Sequence, residues 1–121
     1  RKLGETMLRP AGIDYLLEVT AINEEQFSDQ QRLAIYRVAQ EQCTNIVKYA
    51  KAGSVVITLK ATKGQLLFRI LDDGQGADPE KISRGIGLKN INNRISVFGG
   101  TVTINTKKGE GFELYISIPA A

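Results

Sequence analysis

Apolar and polar positions alternate along several stretches of this chain. Ile13, Tyr15, Leu17 and Val19 alternate with Asp14, Glu18 and Thr20, which predicts a half-buried strand. From Ser28 the period changes. Ser28 followed by Gln31 is a capping-box pattern. Tyr36, Ala39, Cys43, Ile46, Val47 and Ala50 then recur at helical spacing, so a helix is predicted over 28–50, with Gly53 as its stop. Two period-two runs follow. Val55, Ile57 and Leu59 belong to the first, and Leu66, Phe68 and Ile70 to the second. Both are largely apolar on both faces, as central strands are, and Thr62-Lys63-Gly64 joins them as a hairpin. Residues 72–87 are rich in Gly and Asp and read as a loop. A second helix is predicted from about Gly87, with Leu88, Ile91, Ile95 and Phe98 as its stripe and Gly99-Gly100 as its end. Thr101–Thr106 and Phe112–Ile118 read as a second hairpin, with Pro119 closing the sheet edge. The order strand, helix, hairpin, loop, helix, hairpin predicts an α/β (α+β) two-layer sandwich. Its sheet would have about five mostly antiparallel strands, with the helices on one face.

Composition narrows the chemistry. The 121 residues fit one domain, and a 42% hydrophobic content supplies one core. A net charge of +3 suits an anionic ligand but lacks the clustered basic stripe of a nucleic-acid binder. The single Cys43 rules out an internal disulfide, and its place among apolar helix positions reads as a buried, inert thiol. No apolar run reaches the roughly 20 residues needed to span a bilayer. There is no histidine, which excludes Ser-His and Cys-His catalysis and histidine metal sites on this chain.

Four constellations remain. Glu41, Asn45, Lys48 and Tyr49 lie at i, i+4, i+7 and i+8 on the first helix, on a face roughly 165° from the expected apolar stripe. Hard oxygens there suit Mg²⁺ and an ammonium suits phosphate, although any amphipathic helix also turns such a face to water. Asp72-Asp73-Gly74-Gln75-Gly76 follows an apolar strand. Its glycines let the backbone approach a ligand and its carboxylate can accept from an exocyclic amine, while Asp-Gly is also an ordinary turn signal. Gly85-Ile86-Gly87-Leu88 opens the second helix, where free N–H groups and the positive dipole end favour phosphate. A flexible hinge would look the same. Gly109-Glu110-Gly111, taken alone, reads as a hairpin turn.

In this order the motifs resemble those of the GHKL superfamily of ATPases and kinases. Within it, they are most similar to the catalytic domain of sensor histidine kinases, especially the subfamily of nitrate and membrane-fluidity sensors. Tyr36-Arg37-Val38-Ala39-Gln40-Glu41 with Thr44-Asn45-Ile46-Val47-Lys48-Tyr49-Ala50 resembles that family's N box. Asp72–Gly76, Gly85–Arg94 and Gly109–Pro119 resemble its glycine boxes.

The resemblance implies the Bergerat ATP-binding fold over residues 10–121, with residues 1–9 the end of a linker from a dimerization domain. It implies that Asp72 accepts from the adenine amine, Asn45 ligates Mg²⁺, Lys48 contacts phosphate, and Glu41 sits near the metal or a water, with a base role open to it. Gly74, Gly76, Gly85 and Gly87 would let the backbone wrap the nucleotide, together with Ile86 and Leu88. Residues 77–86 would form a lid, with Lys81 and Arg84 clamping phosphate. The γ-phosphoryl group of ATP would pass to a histidine of a homodimeric helical domain and then to a response regulator. A cytoplasmic location follows, with any membrane contact made by regions outside this chain. Three departures stand out, one of them the short lid that carries Lys81 and Arg84. Tyr49 replaces the family's usual histidine, and Phe112 stands where threonine is common. The alternatives are a non-catalytic nucleotide-binding module and a serine kinase of the anti-sigma-factor type.

Overall fold

A computed structural model describes residues 7–20, 27–62, 64–75, 86–106 and 109–119, giving only the backbone of residues 49, 50, 62 and 86–90. The elements are β1 (Asp14–Thr20), α1 (Asp29–Asn45), β2 (Ser54–Thr62), β3 (Gln65–Asp72), α2 (Ile86–Ser96), β4 (Thr101–Thr106) and β5 (Phe112–Pro119). The five strands form one sheet in the order β1-β2-β3-β5-β4. β1 runs parallel to β2, with α1 in the crossover, and the remaining pairs are antiparallel.

Period-two alternation sets the core. Val55, Ile57, Leu66, Phe68, Ile70, Leu114, Ile116 and Ile118 are buried on one face of the sheet. Val38, Ala39, Cys43 and Ile46 of the first helical segment and Ile91 and Ile95 of α2 complete the cluster. Each fully buried aliphatic side chain contributes roughly 1.5–3 kcal/mol. Among the described residues, no helix is long and apolar enough to cross a membrane.

The capping box at α1 forms as its sequence predicts. Gln31 N–H donates to Ser28 Oγ at 3.1 Å, and Ser28 N–H donates to Gln31 Oε1 at 2.9 Å. Gln31 also donates through Nε2 to the Pro119 carbonyl at 3.0 Å, tying the start of the helix to the end of β5. Pro119 therefore ends an internal strand and does not close a sheet edge, since β5 lies between β3 and β4.

The helix departs from expectation in three ways. Its regular part stops at Asn45, and a five-residue π-turn, Ile46–Ala50, carries the chain onward. The stop is Lys51, held in the left-handed region at φ 52°, and not Gly53. The buried stripe consists of Gln31, Ala34, Ile35, Val38, Ala39, Gln42 and Cys43, whereas Tyr36 and Val47 are 49% and 42% exposed. The expected face was rotated because two buried glutamines interrupt the apolar period. Val19 is also exposed, at the far end of the edge strand β1.

α2 ends as expected. Gly99 takes φ 71° and donates to the Ser96 carbonyl, and Gly100 donates to that of Ile95, so two terminal carbonyls are satisfied.

Candidate functional site

Asp72 is the last residue of β3 and follows Leu66, Phe68 and Ile70 on the buried face. Alternation therefore places a carboxylate where the core would take another aliphatic side chain. It is 2% exposed. Its Oδ1 accepts from Gly74 N–H at 2.8 Å. Its Oδ2 is buried with no hydrogen-bond partner among the described residues. A buried acceptor without a donor costs about 1–3 kcal/mol. Burial pushes the Asp72 pKa above the usual carboxylate value, the Gly74 N–H pulls it back, and neighbouring Asp73 raises it further. The site thus holds a buried acceptor lacking one donor among the described residues, which fits an exocyclic amine.

The loop after β3 is held from two sides. On one side, Asp73 Oδ1 accepts from the N–H groups of Gly53 and Ser54, each at 2.9 Å, and Asp73 N–H donates to the Ser54 carbonyl at 3.2 Å. On the other, Gly109 N–H donates to the Gln75 carbonyl at 2.5 Å. Gly111, at φ 82°, lies so close that a Cβ there would stand 2.4 Å from the Asp72 carbonyl oxygen. The Thr106 hydroxyl donates to the Gly111 carbonyl at 2.7 Å, holding this residue to β4. The second hairpin turn is thus a brace for the Asp72 loop, a role that its sequence alone does not carry.

Glu41 and Asn45 are half-buried and Lys48 is exposed. At 100° per residue, Asn45 lies roughly 70° and Glu41 roughly 110° from the centre of the observed buried stripe. They border the core instead of opposing it, which corrects the expected 165°. α1 itself packs against both β3 and α2. Lys48 and Tyr49 belong to the π-turn, whose wider winding takes them off the expected i+7 and i+8 positions; such turns often occur at functional sites. Ile86, Gly87 and Leu88 form the opening turn of α2, one residue earlier than expected. Gly74 is buried beside Asp72. Gly76, Lys81, Arg84 and Gly85 lie outside the described residues.

No group of three or more His, Cys, Asp or Glu side chains among the described residues could hold a metal. Glu41 and Asn45 offer hard oxygen donors of the kind Mg²⁺ takes, and Mg²⁺ completes its shell from water and phosphate oxygens. The donor chemistry of these two side chains fits such an ion.

Comparison with known proteins identifies the family and the fold. Residues 30–121 match the family described as histidine kinase-, DNA gyrase B-, and HSP90-like ATPase. The signal transduction histidine-protein kinase/phosphatase UhpB of Salmonella typhimurium is 37% identical over 98 residues, covering 81% of this chain and 19% of that protein. The corresponding kinase/phosphatase DegS of Bacillus subtilis is 29% identical over 100 residues, covering 79% of this chain and 26% of that protein. The chain thus spans about a fifth to a quarter of the length of these relatives. Among solved structures, full-length ShkA in complex with AMPPNP superposes with a TM-score of 0.81 at 23% identity, covering 99% of this chain and 28% of that one. The histidine kinase domain of the blue-light activated kinase of Erythrobacter litoralis EL346 gives 0.76 at 18% identity, covering 98% and 58%. These two share the fold.

Proposed function

The chain belongs to the histidine kinase-, DNA gyrase B-, and HSP90-like ATPase family as an ATP-binding domain of the histidine-kinase type, and from that premise we propose that it binds Mg-ATP and directs the γ-phosphoryl group to a histidine on a separate dimerization domain. The observation that carries this reading is the buried Oδ2 of Asp72, which has no donor among the described residues. An adenine amine supplies the missing donor. A guanine presents a carbonyl at the same ring position and would set two lone-pair groups against each other.

Each residue then has a task. Asp72 reads the base. Asn45 orients a cation at the phosphates, and Glu41, one turn earlier, sits beside it or its water. Lys48 offsets phosphate charge from the π-turn, and Tyr49 has a hydroxyl to donate. Gly74, Gly76, Gly85 and Gly87 let the backbone come close. The opening turn of α2, with Ile86 and Leu88, offers N–H groups to phosphate. Lys81 and Arg84 add positive charge there. Held by Asn45 with Glu41 beside it, Mg²⁺ would supply positive charge to offset that of the phosphates. Phosphoryl transfer is mainly positioning and charge stabilisation, so these residues suffice on the nucleotide side.

The acceptor imidazole must come from elsewhere, because this chain contains no histidine. Residues 1–9 would be the end of the connection to that domain, residues 10–121 the catalytic unit, and a response regulator the onward acceptor, all on the cytoplasmic side. One observation favours a second reading as a non-catalytic nucleotide module: Tyr49 cannot act as a base near neutral pH.

The test is a titration with a fluorescent ATP analogue, with and without Mg²⁺, followed by addition of a histidine-bearing dimerization domain and ATP. Saturable, Mg²⁺-dependent binding with acid-labile phosphate on the added domain is expected. Binding without transfer would select the second reading, and no binding at millimolar nucleotide would defeat both.

A further inference from the structure

Asp72 and Asn45 would touch opposite ends of one nucleotide, yet they lie on different elements. One side chain ties the end of the strand that carries Asp72 to the segment that leads from the π-turn into β2. The π-turn that carries Lys48 ends at Lys51, and two residues later Gly53 and Ser54 present adjacent N–H groups. Asp73 Oδ1 accepts both, at 2.9 Å each. Two further backbone bonds secure the same spot: Asp73 N–H to the Ser54 carbonyl at 3.2 Å, and Asp14 N–H to the Gly53 carbonyl at 3.0 Å. The neighbouring aspartates therefore divide two tasks. Asp72 turns inward and keeps an oxygen open, while Asp73 turns outward and fastens the loop to the exit of the first helical segment.

From this the geometry points to Asp73 as a positioning residue that couples the base-reading end of the site to the phosphate end, by holding the Asp72 loop against the segment that follows Asn45 and Lys48. This rests on the nucleotide reading of Asp72. Asp73 touches no ligand in this role; its effect passes through Asp72. A carboxylate accepting two backbone N–H groups makes charge-assisted bonds, stronger than neutral ones. Only the acceptor oxygen matters to the geometry, so an amide of the same shape can replace it.

The test is a double-mutant cycle on nucleotide affinity, with Asp72→Ala, Asp73→Ala and Asp73→Asn in the full chain. Asp73→Ala should weaken ATP-analogue binding by about tenfold, the scale of one lost charge-assisted bond. Asp73→Asn should restore affinity to within about twofold, since its carbonyl oxygen can take the same two N–H groups. With Asp72→Ala already present, Asp73→Ala should add almost nothing. A measurement on the unmutated chain does not depend on any variant folding: hydrogen exchange at the Gly53 and Ser54 amides should slow when the analogue binds. Additive losses, no recovery in Asp73→Asn, or exchange at those amides unchanged by nucleotide would each overturn the coupling. If Asp72→Ala leaves ATP affinity unchanged, the nucleotide reading itself falls, so the two failures are distinct.

Discussion

Two glycines in the β4–β5 turn offer a controlled test of how the Asp72 loop is held. Gly109 and Gly111 have nearly the same backbone, at φ 84° and 82°. An alanine at either position carries the left-handed penalty of about 1–2 kcal/mol. Their surroundings differ. A Cβ at Gly109 meets nothing within 4 Å, whereas one at Gly111 stands 2.4 Å from the Asp72 carbonyl oxygen and 3.5 Å from its carbon. Relief requires about 1 Å of movement by the end of β3 or by the turn, and overpacking of this kind costs roughly 1–3 kcal/mol. Gly111→Ala should therefore be about 2 kcal/mol less stable than Gly109→Ala, or roughly 8 °C lower in melting temperature for a domain of this size. The shift should also displace Asp72, so Gly111→Ala should lose ATP-analogue affinity by about tenfold while Gly109→Ala keeps it. Urea unfolding followed by circular dichroism, with nucleotide titration well below both melting points, measures both quantities. Equal losses of stability in the two variants would refute the close approach. A selective loss of stability with affinity intact would refute its link to Asp72.

Three other outcomes are expected. Because burial raises the Asp72 pKa, the folded chain holds that proton more tightly than the unfolded one; the resulting stability is full below the unfolded value and is lost as pH rises through the folded value. Asp72→Asn should thus flatten the fall in stability from acid to neutral pH and raise the nucleotide-free melting temperature, while abolishing thermal stabilisation by ATP. An unchanged slope in thermal melts across that range would assign it to other groups. Lys51→Gly should stabilise the chain by about 0.5–1 kcal/mol in urea titrations, since Lys51 is the one non-glycine residue at positive φ among those described. A loss of stability would show that the lysine side chain outweighs its backbone strain. Burial pushes the Cys43 thiol up to about 11, so iodoacetamide should label it only after unfolding. Rapid labelling of the native chain at pH 8 would contradict its burial.

Much of this fold can be read from local periodicity. Both hairpins, the Ile91 and Ile95 stripe and the Gly99-Gly100 stop depend on residues close in sequence, and the observed elements follow them. The buried face of α1 was not legible in the same way. Gln31 is buried because the amide is used by Ser28 N–H and the Pro119 carbonyl, a partner 88 residues away. Without that partner, a glutamine reads as a surface residue. The helix stop is not legible because glycine is the usual left-handed residue and Lys51 takes that conformation here. Asp72 was more legible than its loop suggests: counting by two from Leu66 through Phe68 and Ile70 reaches it, so its burial follows from the strand pattern. The anchoring of Asp73 and the contact at Gly111 join segments far apart in sequence, and no spacing rule reaches them.

The parallel pairing of β1 has a practical consequence for anyone shortening the chain. A fragment starting at residue 30 would retain most of α1 and every glycine motif, but it would lose all seven ladder positions between Asp14–Thr20 and Ser54–Lys60. β2, built from apolar residues to sit inside a sheet, would become a bare rim with unpaired backbone groups. Such rims template strand addition from other molecules, so the shortened protein should self-associate and precipitate where the longer one stays dispersed.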